Sequence, residues 1–181
     1  SGAHCALAIA RAKALYGHGG CQFDTTGDEM TLTRQVYVID DDSMVRGSTA
    51  YFLAAAGHVA RMFRSGQEFL DALPELAPSC VLLDVRLPGI DGLQVLEAMH
   101  DRLAQFPVIV MTGHGDVATA VRAMKLGASD FHEKPFDEAA LLETLARLFA
   151  GLDKQVEADD HQAAAQARLA LLTRRETDVL R

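Results

Sequence analysis

The stretch CVLLD, from Cys80 to Asp84, is apolar up to its last position and ends on a carboxylate. An uninterrupted apolar run of this length is typical of a strand that is buried on both faces of a parallel sheet. The run from Pro107 to Thr112 has the same character and ends on a hydroxyl. The two runs predict the centre of an α/β domain, in which ligands bind at the carboxyl ends of the strands.

Similar runs lie on either side of this centre. Residues 35–40 lead into three aspartates, Asp40 to Asp42, and residues 130–134 end on Lys134. Strands are predicted at 35–40, 58–63, 80–84, 107–112 and 130–134, and helices at about 43–56, 66–73, 91–104, 116–126 and 137–150. This alternation predicts a doubly wound, five-stranded parallel sheet with helices on both faces.

Individual residues carry local predictions. Helix N-caps are expected at Ser43, Asp91, Asp116 and Asp137, and helix-ending glycines at Gly57 and Gly127. Core positions are expected at Met111, Met124 and Leu126. His114 is interpreted as a polar loop residue, and His132 as a packed or surface side chain rather than a ligand.

Composition limits the possible classes of protein. The chain has 181 residues and a net charge of −8, which fits one ordinary domain with appendages and argues against nonspecific coating of nucleic acid. Its three cysteines lack metal-ligand spacing and fit a reducing cytoplasm. No apolar run approaches the roughly 20 residues that span a bilayer, so no contact with a membrane is predicted.

The strand-end residues predict a specific chemistry. The carboxylates of Asp40, Asp41 and Asp84 would repel one another, and a hard divalent cation such as Mg²⁺ relieves that repulsion. Asp84 is then the candidate oxygen nucleophile toward phosphorus. The Lys134 ammonium and the Thr112 hydroxyl suit the oxygens of the transferred group. The sequence therefore predicts uptake of a phosphoryl group on an aspartate.

Together these residues resemble the receiver domain of two-component response regulators. The resemblance is carried by Asp40-Asp41, the segment 84–92, Thr112, and Lys134-Pro-Phe136, in that order. It implies a flavodoxin-like receiver fold, Asp84 as the phosphoacceptor, and Mg²⁺ held by Asp40, Asp41, Asp84 and the backbone carbonyl of Arg86.

The resemblance also implies how the domain signals. Thr112 becomes the switch hydroxyl, Lys134 contacts the phosphoryl group, and the bond before Pro135 is cis. Phe131 stands where the switch aromatic is often a tyrosine. A sensor histidine kinase donates the phosphoryl group, and phosphorylation favours a homodimer through residues 116–134.

Finer features divide the chain. The segments 111–117 and 120–125 resemble the FixJ subgroup, and 168–181 is similar to the start of a LuxR-type helix-turn-helix domain. The predicted division is an extension at 1–29, non-native or disordered and preceding a natural start at Met30, and then a receiver domain at 30–151. A helical or flexible linker follows at 152–167, and the DNA-binding domain at 168–181 is expected to be incomplete, with its recognition helix beyond Arg181.

The sequence thus predicts a cytoplasmic response regulator of transcription that acts as a phosphoacceptor rather than as an enzyme on other substrates. One alternative is a stand-alone receiver that signals through protein contact. Another is a Mg²⁺-dependent phosphatase with an aspartyl nucleophile. Such phosphatases often carry a second acid two residues after the nucleophile, and this position is Arg86 here.

Overall fold

Strands and helices alternate along the chain as the sequence predicts. The computed structural model of the protein describes residues 34–113 and 117–178, with side chains as far as 158. The strands are β1 (Arg34–Ile39), β2 (His58–Phe63), β3 (Cys80–Asp84), β4 (Val108–Thr112) and β5 (Asp130–Glu133). The α-helices are α1 (Ser43–Ala55), α2 (Gly66–Ala72), α3 (Gly92–Ala98), α4 (Val117–Lys125) and α5 (Glu138–Asp178).

The predicted doubly wound parallel sheet is confirmed. Its strand order is β2-β1-β3-β4-β5, and every neighbouring pair is parallel. In the register Ile39 faces Leu83, Asp84 faces Met111, and Thr112 faces Glu133. The carboxyl ends of four strands therefore meet at one edge of the sheet.

Two hydrophobic layers cover the two faces of the sheet. Alternate residues of β1 divide between them: Tyr37 and Ile39 pack with α2 and α3, whereas Val36 and Val38 pack with α1 and α5. All five residues of β3 and all five of β4 are buried, as the apolar runs predict. Burial raises the pKa of the Cys80 thiol to about 12, which makes it a packing residue.

Two glycine predictions are confirmed here, and the predicted cap of α1 needs correction. Gly57 and Gly127 end α1 and α4 with positive φ angles of 81° and 98°. The side chain of Asp42, rather than that of Ser43, caps α1 by accepting from the Met44 amide. Because the helix itself begins at Ser43, the residue in the N-cap position is Asp42.

The helix predicted at 91–104 is also shorter. It ends at Ala98, and a 3₁₀ turn follows at His100–Arg102. The tighter turn brings the buried Phe106 ring to 6.2 Å from the ring of Tyr37 in the core. The Asp91 cap is confirmed: its side chain accepts from the Gln94 amide, and the Gln94 side chain accepts from the Asp91 amide in return.

Helix α5 is much longer than predicted. It continues from Glu138 to Asp178 without the break expected at 150. It also continues through 168–178, where the sequence resembles the start of a separate DNA-binding domain. Residues 152–178 contain neither glycine nor proline and are rich in alanine, leucine and charged helix formers, so the backbone has no local reason to stop.

Some expectations lie outside the described residues. These concern the extension at 1–29, the loop residues His114 and Asp116, and the last three residues of the chain. Within the ranges that the structure describes, no helix is long and apolar enough to cross a membrane.

Candidate functional site

Three carboxylates meet at the edge where the strands end. Asp40 and Asp41 follow β1, Asp84 closes β3, and one oxygen from each lies within 4.8 Å of the others. Asp40 and Asp84 are buried, with 1% and 6% of their surface exposed, whereas Asp41 faces solvent. We call these three residues the acidic cluster. Because the carboxylates repel one another and are partly shielded from solvent, binding of a cation among them is favoured.

The Lys134 ammonium enters the acidic cluster from the far side. Its Nζ lies 2.6 Å from Oδ2 of Asp40 and 3.1 Å from Oδ1 of Asp84. The Lys134 amide donates to the Thr112 carbonyl over 2.8 Å, which fixes the backbone beside β4. The peptide bond before Pro135 is cis, as the resemblance implies. One ammonium faces three carboxylates, so negative charge remains in surplus.

Proton affinities follow from burial and this charge imbalance. Burial raises the pKa of Asp84, the Lys134 charge and hydrogen bond lower it, and the Asp40 charge raises it again, for a net increase. Burial alone would lower the pKa of Lys134, but the hydrogen bond with Asp40 and the two carboxylate charges raise it above its ordinary value. The ammonium therefore stays charged, and the Asp84 carboxylate is incompletely compensated.

The start of α1 orients Asp40. Its Oδ1 accepts from the Asp42 amide over 2.9 Å, and its backbone carbonyl accepts from Nη1 of Arg46 over 2.7 Å. The sequence reasoning did not identify Arg46. The available signal was its position one turn into the helix that follows the acids. These bonds hold the carboxylate toward Lys134 instead of letting it turn to solvent.

The start of α3 packs directly against the end of β3. A Cβ at Gly92 would lie 2.3 Å from the Asp84 carbonyl oxygen and 2.8 Å from Cα of Val85, so a side chain at this position is excluded. The Gly92 amide donates to the Val85 carbonyl over 2.9 Å. This close contact fixes the backbone that carries the Asp84 side chain.

Arg86 contacts the site in two ways besides the metal-ligand role predicted for its backbone carbonyl. A backbone hydrogen bond from Arg86 stabilises the charged form of Asp84. Its guanidinium also approaches Gly113, where a Cβ would lie 3.6 Å from Nη2. The sequence reasoning did not foresee this approach. The metal-ligand role of the Arg86 carbonyl remains a prediction.

Thr112 and Phe131 lie in different environments. Thr112 closes β4 at the same edge and is 3% exposed, and its role as the switch hydroxyl remains a prediction. Phe131 lies outside, with 45% of its surface exposed. It joins an apolar groove of about 330 Å³ whose lining residues are Val117, Ala120, Val121, Met124, Lys125 and Phe131.

The predictions for Met111, Leu126, Met124 and His132 have different outcomes. Met111 is fully buried, and Leu126 is partly buried against the core. Met124 is 44% exposed and lines the apolar groove, so the prediction that it belongs to the core is wrong. Hydrophobicity alone could not distinguish a core position from a surface groove. His132 is half-buried and its ring contacts Thr144, consistent with a packed side chain.

The site combines the elements of an acceptor for a phosphoryl group. Carboxylate oxygens at this spacing suit a hard divalent cation. A carboxylate beside such an ion is a competent oxygen nucleophile, and an ammonium with a hydroxyl can bind the oxygens of the incoming group. The donor set at the site therefore fits Mg²⁺.

Comparison with known proteins gives a consistent picture. The description "Response regulator receiver domain" matches residues 36–146. The transcriptional regulatory protein FixJ of Bradyrhizobium diazoefficiens is 45% identical over 154 residues, which are 83% of this chain and 74% of that protein. FixJ of Rhizobium meliloti is 39% identical over 146 residues, 80% of this chain and 71% of that protein.

Solved structures show the same likeness. Full-length FixJ from B. japonicum aligns with a TM-score of 0.63 and 45% identity, over 68% of this chain and 61% of that one. The structure named FixJ-N aligns with a TM-score of 0.59 and 37% identity, over 67% of this chain and 94% of that one. The chain thus spans less than two thirds of the full-length structure that it matches.

Proposed function

Because this chain belongs to the response regulator receiver family, we propose that it is a phosphorylation-controlled regulator of transcription whose phosphoacceptor is Asp84. The observation that carries the proposal is the charge surplus around Lys134. One ammonium, 2.6 Å from Asp40 and 3.1 Å from Asp84, leaves the acidic cluster negatively charged and partly buried. The donor is a sensor histidine kinase, and this protein acts in the cytoplasm.

Mg²⁺ is the metal that this site would hold. Asp40, Asp41 and Asp84 would supply carboxylate ligands, and the Arg86 backbone carbonyl would supply a fourth protein ligand. When bound, the ion neutralises charge on the carboxylates and on the incoming phosphoryl group. Mg²⁺ keeps several waters in its shell, and the exposed position of Asp41 leaves room for them.

The remaining residues bind the phosphoryl group itself. The Asp84 carboxylate attacks phosphorus, forming a carboxylate–phosphorus bond as the donor's bond to phosphorus breaks. Lys134 pairs with one phosphoryl oxygen, and the Thr112 hydroxyl donates to another. Gly113 allows backbone approach because it carries no side chain. Water later hydrolyses the acyl phosphate, so the protein turns over no substrate beyond its own phosphoryl group.

Phosphorylation acts on the face formed by residues 116–134. Thr112 moves toward the phosphoryl group, and Phe131 turns inward from the apolar groove. This face then forms a homodimer. In support, it exposes Val117, Val121, Met124 and Phe131. The same face also carries exposed Arg122, Lys125 and Glu133, and the presence of both signs of charge suits a two-fold interface.

DNA recognition belongs to a domain that begins with 168–181. Support comes from the LuxR-like pattern of that segment and from the relatives named as transcriptional regulatory proteins. Helix α5 connects the receiver to this segment without a break as far as Asp178. The complete domain, in the phosphorylated dimer, binds its operator.

Uptake of a phosphoryl group tests the proposal. With an acyl-phosphate donor and Mg²⁺, intact mass should show one added phosphoryl group that is labile in base. Asp84→Asn should show none, because an amide is not a competent nucleophile. Asp42→Asn is the matched control, since it changes a neighbouring acid that caps α1 and should still take up one group. Equal uptake by Asp84→Asn would overturn the assignment.

A further inference from the structure

Strand β5 and the residue that follows it carry three half-buried polar side chains at alternate positions. Asp130, His132 and Lys134 are half-buried, whereas the alternating Phe131 and Glu133 are exposed. The period of two places the first three on one side of the strand. The last of them, Lys134, reaches the acidic cluster. The strand thus carries the contacts with the neighbouring helix, and the residue that directly follows it is a site residue.

Two residues of α5 contact two of these side chains. The Thr144 hydroxyl lies 3.4 Å from Oδ2 of Asp130 and 3.2 Å from Nε2 of His132. Since the carboxylate only accepts, the hydroxyl donates to Asp130 and accepts from the His132 ring. Arg147 also pairs with Asp130, at 2.5 Å between Nη2 and Oδ2. We call these four residues the β5–α5 ladder.

Thr144 is the centre of the ladder. Its surface is only 7% exposed, and a buried hydroxyl that loses its partners is costly. The Arg147 pair lies outside it, with the Arg147 side chain 59% exposed, where an ion pair contributes little. Thr144 therefore holds the strand to the helix more firmly than Arg147 does.

The position of β5 gives this link a consequence. It is an edge strand that pairs only with β4 in the sheet of the described chain. One face of β5 contacts α5 through the β5–α5 ladder, and α5 continues to Asp178. A displacement of β5 caused by a group bound at Lys134 must therefore break the ladder or move the helix.

We propose that Thr144 is a positioning residue that couples the phosphoryl site to α5 through β5. The proposal rests on the proposed function of Asp84 as phosphoacceptor. It makes α5 respond to phosphorylation within the part of the helix that packs on the sheet, before Leu152 and Asp153. Coupling is reciprocal, so a partner that fixes α5 also alters the free energy of phosphorylation at Asp84.

Spin-label distances test the coupling. Labels at the exposed positions Glu97 and Glu157 report the direction of α5 relative to α3, in a background with Cys5 and Cys21 changed to serine. Phosphorylation should shift the distance in the otherwise unchanged protein. Thr144→Val should take up one phosphoryl group and lose the shift. Thr144→Ser should restore the shift because it restores the hydroxyl.

The controls separate coupling from packing. Ser48→Ala removes another helix hydroxyl, which donates to Val45 on α1 at 3.0 Å, and should leave the shift intact. An undiminished shift in Thr144→Val, or no shift in the phosphorylated unchanged protein, would overturn the coupling. Should Thr144→Val not fold, His132→Phe, which removes the ring nitrogen that contacts Thr144, must reduce the shift. Absence of phosphoryl uptake in every variant would instead contradict the role of Asp84.

Discussion

A cluster of charged side chains lies at each end of strand β1, and the two clusters differ in how fully their charges are paired. At the carboxyl end, Lys134 faces the acidic cluster, in which two of three carboxylates are buried. At the amino end, the guanidinium of Arg34 holds Asp153 with two hydrogen bonds of 2.9 and 2.7 Å. The cluster at the carboxyl end has a surplus of negative charge. At the amino end, each carboxylate oxygen of Asp153 accepts from a guanidinium nitrogen of Arg34.

The surroundings extend this contrast. The Arg34 guanidinium lies 5.2 Å from the centre of the Phe149 ring, and the same ring stacks on His58 at 5.5 Å. These contacts attach α5 to the amino ends of β1 and β2. A geometrically satisfied pair of this kind stabilises a fold. A buried surplus of carboxylates costs stability unless a ligand compensates it, and it therefore marks a binding site.

The largest expected difference between the two clusters concerns the rate of phosphorylation. Lys134→Ala removes the cation that binds a phosphoryl oxygen and should slow uptake from an acyl-phosphate donor by about 100- to 1,000-fold. Arg34→Ala, at the other end of β1, should leave the rate unchanged. Time courses of intact mass measure both. A similar rate in Lys134→Ala would show that the ammonium is not part of the reaction.

The second difference concerns metal binding. Mg²⁺ at 100 times its dissociation constant should raise the free energy of unfolding by about 2.7 kcal/mol, because it binds the folded state. Asp41→Asn removes a ligand and should reduce this gain, whereas Asp153→Asn should retain it. Urea unfolding with and without Mg²⁺ gives the values. An equal gain in Asp41→Asn would place the ion elsewhere.

The third difference concerns the free energy of unfolding without metal, which substitution of the two carboxylates should change in opposite directions. The pKa of Asp84 is raised by burial, so its folding contribution is fully present at low pH and is lost as the pH rises through the folded pKa. At neutral pH, Asp84→Asn should therefore increase the free energy of unfolding. Asp153→Asn should decrease it by up to about 1 kcal/mol, as expected of a partly exposed pair.

Urea unfolding at neutral pH and in acid measures this pair of variants. The gain in Asp84→Asn should shrink in acid, where the unchanged carboxyl is also neutral. Destabilisation by Asp84→Asn at neutral pH, of the same size as that of Asp153→Asn, would show that the acidic cluster is as well compensated as the Arg34 pair.

The smallest expected effect concerns His58. Burial, with the nearby Arg34 charge, lowers its pKa below 6.5, although a backbone hydrogen bond acts in the opposite direction. Its contribution is therefore complete above pH 6.5 and is lost as the pH falls through 6.5 toward the folded pKa. His58→Gln should flatten this part of the stability profile in urea unfolding. An unchanged slope would mean that the ring is charged at no cost.

The carboxyl end of the sheet could be predicted from sequence, whereas the amino end could not. Asp84 and Lys134 follow apolar runs, and the parallel register then brings such strand ends together. Arg34 and Asp153 are 119 residues apart, and neither follows a recognisable pattern. The length of α5 was also missed, because the change to a more polar composition after Ala150 was interpreted as the end of the helix.

Chemical location of the phosphoryl group is the most direct test of the central claim, that surplus carboxylate at this edge makes Asp84 the acceptor. Borohydride reduces an aspartyl phosphate to homoserine, which peptide mass spectrometry can locate. After treatment with donor and Mg²⁺, the modification should lie at Asp84 and should be absent when either reagent is omitted. Modification of Asp40, Asp41 or Asp42, with Asp84 intact, would contradict the account.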